Sequence, residues 1–263
     1  MYNNHAKTNK SYRKLGGVSM GRHGTIAGRK AAQDSKRAAL FTKYARAITV
    51  AAKDGGDPEY NSSLRLAIER AKGISMPNDN ITRAIKKGTG ELDGETYVEQ
   101  SFEGYGLAGV AVIVEALTDN TNRTTASVRA AFDKYGGNLG TPGCVSYMFS
   151  RKGIIIIEND EDAEIDEDAL MEAALEAGAD DMIVHEDSFE IVTEPSAHPE
   201  VHQALIDAGY ELVESDVEYV PSMEATPTNP DDIKKLAKMI EVLEDNDDVQ
   251  KVYTNCAIDL FEE

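Results

Sequence analysis

Arg29, Lys36 and Lys43 are spaced seven apart, and Lys43, Arg46 and Lys53 continue the series at +3 and +7. Within the stretch from Arg22 to Lys53, a helix from about Lys30 onward stacks these residues on one side, because positions three, four and seven apart share a face. No acid interrupts the row after Asp34. Stacked like charges repel one another, and a polyanion laid along them removes that penalty. The chemistry is therefore recognition of a phosphate chain, not bond making. Arg22, Lys30 and Arg37 belong to the same stretch, and Arg83, Lys86 and Lys87 add cations further on. The plain alternative is a solvated helix face in a short bundle. No aromatic residue is set among these charges as a stacking platform would need, and Gln33 is the one residue of base-reading type on the helix. The pattern thus describes a reader of backbones and shapes rather than of base edges. Arg123 and Arg129 could extend a backbone track. For them, and for Arg151-Lys152, surface ion pairing is the simpler reading.

Other spacings suggest chemistry and then lose it. Gly104, Gly106 and Gly109 fit GxGxxG, but a dinucleotide fingerprint must follow a strand and open a helix. Here VAVIVEAL follows, a strand pattern, so the glycines read as a hairpin turn. His198 and His202 stand i, i+4 beside Glu200, a metal-ligand spacing with no third ligand in view. ENDEDAEIDED has the charge of a calcium loop without its glycine, and reads as a solvated acidic edge. No nucleophile elbow, phosphate loop or paired nucleophile and base appears. The expectation is a chain with no catalytic residues, no cofactor and no metal. Cys144 and Cys256 lack CxxC partners and read as small core residues of a reduced compartment.

The elements that position the cations are three short helices over about 30–88. In the first, Phe41, Tyr44, Ala45 and Ile48 form the core stripe. Gly55-Gly56 ends it, and Asp57-Pro58-Glu59 reads as the start of the second, with Leu64, Ile68 and Ala71 inward. The third opens near Met76-Pro77-Asn78 and turns Ile81 and Ile85 inward. Then the period becomes two. Tyr97–Glu103, Val110–Leu117 and Val145–Phe149 read as strands, with a helix at Asn122–Tyr135. From Gly153 the order is strand, helix, two strands, helix, strand, the pattern of a ferredoxin-like βαββαβ unit. A short strand at Met223–Thr226, a helix at Pro230–Glu244 and a strand at Val249–Ile258 close the chain. The expected class is α+β. It comprises a disordered basic extension (1–19), a basic three-helix bundle (20–92), a discontinuous ferredoxin-like domain (97–150 plus 222–263), and a second, acidic ferredoxin-like domain (151–221) inserted in it.

Charge divides the chain in the same way. Of 263 residues with a net charge of −20, residues 1–90 hold 18 Lys and Arg against 6 Asp and Glu, a net +12, and the remainder carries −32. Residues 153–221 hold 22 acids and no Lys or Arg. Such asymmetry suggests a nucleic-acid end and an acidic end repelled by phosphates. The acidic part would meet basic proteins, orient the molecule or keep it soluble. No apolar run approaches a membrane span and residues 1–19 lack an apolar signal core, so no membrane partner and a cytoplasmic location are expected.

Three long stretches also carry a resemblance: MGRHGTIAGRKAAQDSKRAALFTKYARAITVAAK, LRLAIERAKGISMPNDNITRAIKKGTGE, and FEGYGLAGVAVIVEALTDNTNRTTASVRAAFDKYGGNLG. From about Met20 to its end the chain resembles the YebC/PmpR family. The resemblance implies three domains and a probable cytoplasmic DNA-binding transcriptional regulator. Mitochondrial relatives are translational activators, and other members look like ribosome-associated factors that relieve stalling, which implies ribosomal or transfer RNA as the alternative target. The chain departs from the family pattern at its start, where RHGTIAG replaces a Trp and a longer His/Lys-rich lead.

Overall fold

A computed structural model describes residues 26–159, 165–185 and 187–261, with side chains from residue 38 onward. Helix α1 (Ile26–Ala51) is followed by a 3-10 turn (Ala52–Asp54), α2 (Ser62–Gly73) and α3 (Asn78–Gly88). They close on one cluster of Ile48, Ala52, Leu64, Ala67, Ile68, Ala71, Met76, Ile81 and Ala84, with Phe41, Tyr44 and Ala45 packed against it. Removing this apolar stripe from water is what holds the three helices, one of them 26 residues long, together. Helix α2 begins later than Asp57-Pro58 suggests. Asn61 is its cap, its side chain accepting from Leu64 N–H, while Asp57 bonds Glu59 N–H in a local turn.

Strands β1 (Val98–Tyr105), β2 (Ala111–Thr118), the two-residue β3 (Asn138–Leu139) and β8 (Val249–Thr254) form one antiparallel sheet in the order β3-β1-β2-β8. Helices α4 (Thr121–Lys134) and α7 (Pro230–Glu244) cover one face over a core that includes Val112, Val114, Val128, Phe132, Leu236, Met239 and Leu243. The GxGxxG segment is the β1–β2 turn, in which Ala108 has φ 56 and Gly109 φ 74. A strand, not a helix, follows it.

Strands β4 (Phe149–Glu158), β5 (Asp181–Val184), β6 (Ser188–Thr193) and β7 (Glu214–Pro221) form a second antiparallel sheet, ordered β5-β6-β4-β7. Helices α5 (Glu167–Glu176) and α6 (His198–Asp207) cover one of its faces around Ile155, Ile157, Leu170, Phe189, Ile191 and Leu205. The observed class is therefore a helical N-terminal region followed by mixed α and β with two antiparallel sheets.

Val145–Phe149 is not the strand its composition suggests. Ser146–Met148 is a 3-10 turn, and β4 runs unbroken from Phe149 to Glu158 across the junction expected at 150–151. The cause is Glu103, whose buried carboxylate accepts from the N–H groups of Gly143, Val145 and Ser146 at 2.8–2.9 Å and curls the segment around itself. Burial pushes this carboxyl up, but the backbone donors outweigh it and leave it below the usual carboxylate range. Met223–Thr226 supplies only an isolated bridge, Ala225 to Cys256.

Candidate nucleic-acid interface

Arg22 lies outside the described residues, and of Arg29, Lys30, Lys36 and Arg37 only the helical backbone is described. The row beyond them divides into cations held within the chain and cations turned to solvent.

The held set is the unexpected one. Lys43 Nζ donates to the carbonyl of Glu244, in the last turn of α7. Arg46 donates to the carbonyl of Asp247. It also forms an ion pair with Asp248 Oδ1 at 2.8 Å, both side chains nearly buried, and lies over the Tyr97 ring at 5.4 Å. Lys53 Nζ donates to the Tyr97 carbonyl at 2.8 Å. Lys87 sits 3.7 Å from Glu95, a long and exposed pair of little worth. Burial pushes the Lys43 ammonium down, offset in part by Glu244, Asp245 and Asp247.

Spacing correctly put Lys43 and Arg46 on one side of α1, because Ile48 and its stripe occupy the other. It did not reveal that the corner between α7 and β8 covers them. That corner carries Glu244, Asp245, Asp247 and Asp248, while the last turn of α7 contains no base. Carboxylates at the negative end of a helix dipole are unfavourable, and Lys43 and Arg46 supply the missing positive charge from another part of the chain.

Arg123 joins the same corner. It bonds Asp248 at 2.9 Å and Asp119 at 2.7 Å, so its charge is neutralised in place. Asp248 also accepts from Thr124 at 2.7 Å. Burial pushes Asp248 up, and the bonds from Thr124 and Arg123 together with Arg46 outweigh it, holding the carboxyl below its ordinary value. Lys152 is likewise held, by Asp180 and Glu194, and Arg151 lies over the Tyr219 ring at 5.5 Å.

Arg83 and Lys86 are the solvent-facing set. Both are exposed on α3 and make no ion pair among the described residues. Their positions follow from Ile81 and Ala84, which turn inward and leave residues 83 and 86 outside. Arg129 is exposed on α4.

A second junction ties α2 to the sheet of β4–β7. Arg70 pairs with Asp216 at 2.6 Å and donates to the Ser215 carbonyl at 2.6 Å. Lys251 of β8 pairs with the same Asp216 and with Glu218 at 2.6 Å. Three parts of the chain thus meet on one carboxylate.

Beside it, the two histidines of the i, i+4 pair share one serine hydroxyl. Ser215 Oγ stands between them, 2.9 Å from His198 Nε2 and 2.7 Å from His202 Nδ1, and His202 Nε2 reaches Glu69 at 3.2 Å. An ionised Glu69 only accepts, so a neutral His202 carries its proton on Nε2. Nδ1 then accepts from Ser215, and Ser215 accepts from His198. His198 is the first residue of α6 and is buried. Burial first, then His202, push its imidazole down to about 4. No helix among the described residues is long and apolar enough to cross a membrane.

The profile described as the TACO1/YebC protein N-terminal domain matches residues 22–91. The profile for the TACO1/YebC second and third domain matches residues 97–256. A protein of Clostridioides difficile named "probable transcriptional regulatory protein" is 52% identical over 241 residues, covering 91% of this chain and all of that one. A Bacillus licheniformis protein of the same name is 54% identical over 231 residues, 88% of this chain and 95% of that one. The crystal structure of a conserved hypothetical protein from Aquifex aeolicus superposes with a TM-score of 0.75 at 44% identity, covering 85% of this chain and 91% of that one.

Proposed function

The chain belongs to the TACO1/YebC family, and from that membership we propose that it is a non-catalytic, nucleic-acid-binding regulator of gene expression acting in the cytoplasm. The relatives' name, probable transcriptional regulatory protein, supports regulation, and duplex DNA is the target it favours. The observation that carries the binding itself is charge segregation. Residues 1–90 are at +12, and Arg83 and Lys86 stand exposed on the helical region. We take the contact surface to be Arg22, Arg29, Lys30, Lys36 and Arg37 with Arg83 and Lys86. Lys43, Arg46, Lys53 and Lys87 lie at its margin, where the chain itself engages them. In this reading residues 20–92 are a binding module. The sheet of β4–β7, whose strand order is that of a ferredoxin-like unit, is an acidic module nested within the one formed by residues 97–150 and 222–263.

The test is a salt titration of binding to duplex DNA and to duplex RNA. Each phosphate contact contributes about 0.9 to the slope of log affinity against log salt on B-DNA. Replacing Arg83 and Lys86 by Ala is expected to lower that slope by about 2 and to weaken binding to all sequences alike. An unchanged slope removes α3 from the interface. Tighter binding to RNA than to DNA under competition moves the target to RNA.

A further inference from the structure

The corner between α7 and β8 presents oxygen acceptors to cations that the row on α1 would otherwise offer to a ligand. Two of those groups are backbone carbonyls, of Glu244 and Asp247, and one is the nearly buried carboxylate of Asp248. Asp245 and Asp247 add exposed negative charge beside them. A short run of oxygens with surrounding negative charge is chemically what a stretch of phosphate backbone offers to Lys and Arg. The contact joins residues about 200 positions apart in sequence, so it is a docking of separate parts of the chain, not a local turn.

We propose that this corner is an internal substitute for a phosphate chain: it occupies Lys43 and Arg46 in the closed molecule, and nucleic acid competes with it for the same two side chains. The proposal rests on the nucleic-acid reading above. Exposed cations such as Arg83 and Lys86 make the first contact, and full engagement along α1 requires Lys43 and Arg46 to leave the corner. When they leave, the end of α7 loses the Lys43 bond to the Glu244 carbonyl. Binding is then coupled to loosening of α7 and β8. The apparent affinity falls in proportion to the fraction of molecules that are open.

The experiment uses the full chain and a short mixed-sequence duplex, as DNA and as RNA. Asp245→Asn with Asp247→Asn weakens the corner without touching its carbonyls or Asp248. Glu172→Gln with Glu176→Gln makes the same charge change on exposed positions of α5. The corner variant is expected to bind on the order of fivefold more tightly at low salt, and the control within about twofold of the parent, since distant charges are screened. Hydrogen exchange gives the second readout: in the parent, saturation with duplex should speed exchange of the Leu243, Glu244 and Asp245 amides. If the parent binds duplex, but the corner variant gains no more than the control and those amides stay protected, the competition is wrong and the nucleic-acid reading survives. If neither protein binds duplex of either kind, both fall together.

Discussion

Asp216 allows the sharpest test of how the parts of the chain are held together. Asp216→Asn keeps the shape of the side chain and removes its charge. What remains is Arg70 and Lys251 facing one another across a neutral amide. Unit charges at about 4 Å interact by roughly 4 kcal/mol at the effective dielectric of a partly buried site. Arg70 retains 31% of its side-chain exposure and Asp216 18%, so solvent screens part of this. Lys251 keeps Glu218, and Arg70 keeps the Ser215 carbonyl. The expected loss is therefore about 2–3 kcal/mol at pH 7, below the roughly 3–5 kcal/mol of a fully buried pair broken on one side. Burial pushes the Asp216 carboxyl up, while Arg70 and Lys251 outweigh it and hold it below its ordinary value. A depressed carboxylate contributes its full stabilisation above the unfolded-state value. It loses that contribution as pH falls through the folded value, so the penalty should shrink below about pH 4. Urea unfolding followed by circular dichroism gives the size. Hydrogen exchange on α2 and β7 gives the place, which matters because several packed units need not unfold in one step. A variant within about 0.5 kcal/mol of the parent at pH 7, or one loosened elsewhere than α2 and β7, would falsify the account of this junction.

Three further outcomes follow from the same structure. The imidazole of His198, held down to about 4 from 6.5, keeps its neutral form in the fold. Its contribution is complete above pH 6.5 and is lost as pH falls toward 4, a change of up to about 3 kcal/mol that His198→Gln should flatten in a pH series of urea midpoints. Gly153→Ala would place a Cβ 2.2 Å from Thr193 Oγ1 and 2.6 Å from His198 Cβ; a loss of about 1–3 kcal/mol is expected, and an unchanged melting temperature would show that the α6 side of β4 has slack. Glu103→Gln turns amide hydrogens toward N–H donors that need an acceptor. It should cost about 1–3 kcal/mol and speed exchange of the Gly143, Val145 and Ser146 amides.

How far the sequence could be read depended on the range of the interaction involved. Helix α7 was legible in its bounds, Pro230–Glu244, with Asn229 as its cap and Leu236 and Ile240 on its buried face, whereas Ile233 lies outside the buried set. The second helix was misplaced at its start because Asp57-Pro58 has the composition of a cap and first turn. The true cap, Asn61, became decisive only where its amide could also bond the carbonyls of Ala51 and Gly55. Val145–Phe149 has strand composition, and no local signal announced that Glu103, some 40 residues earlier, would take its amides. The same limit applied to the cations. Spacing assigned Lys43 and Arg46 to a common side and required something anionic to cover it, but not which anion. Nor did the i, i+4 histidines reveal Ser215 between them, because the serine comes from β7.

The pairing of β2 with β8 has a bearing on how the molecule is made. Val112, Ile113 and Val114 acquire their second neighbours only from Val252, Tyr253 and Thr254, and Leu236, Met239, Ile240 and Leu243 complete the core beneath them. During synthesis, then, the first sheet waits with an apolar edge and an uncovered face while more than a hundred residues are added, including every strand of the other sheet. An emerging chain in that condition invites pairing with its neighbours. Truncation a few residues before Val249 should yield aggregates, whereas the helical front end, whose apolar core is drawn from residues 41–85, is finished early.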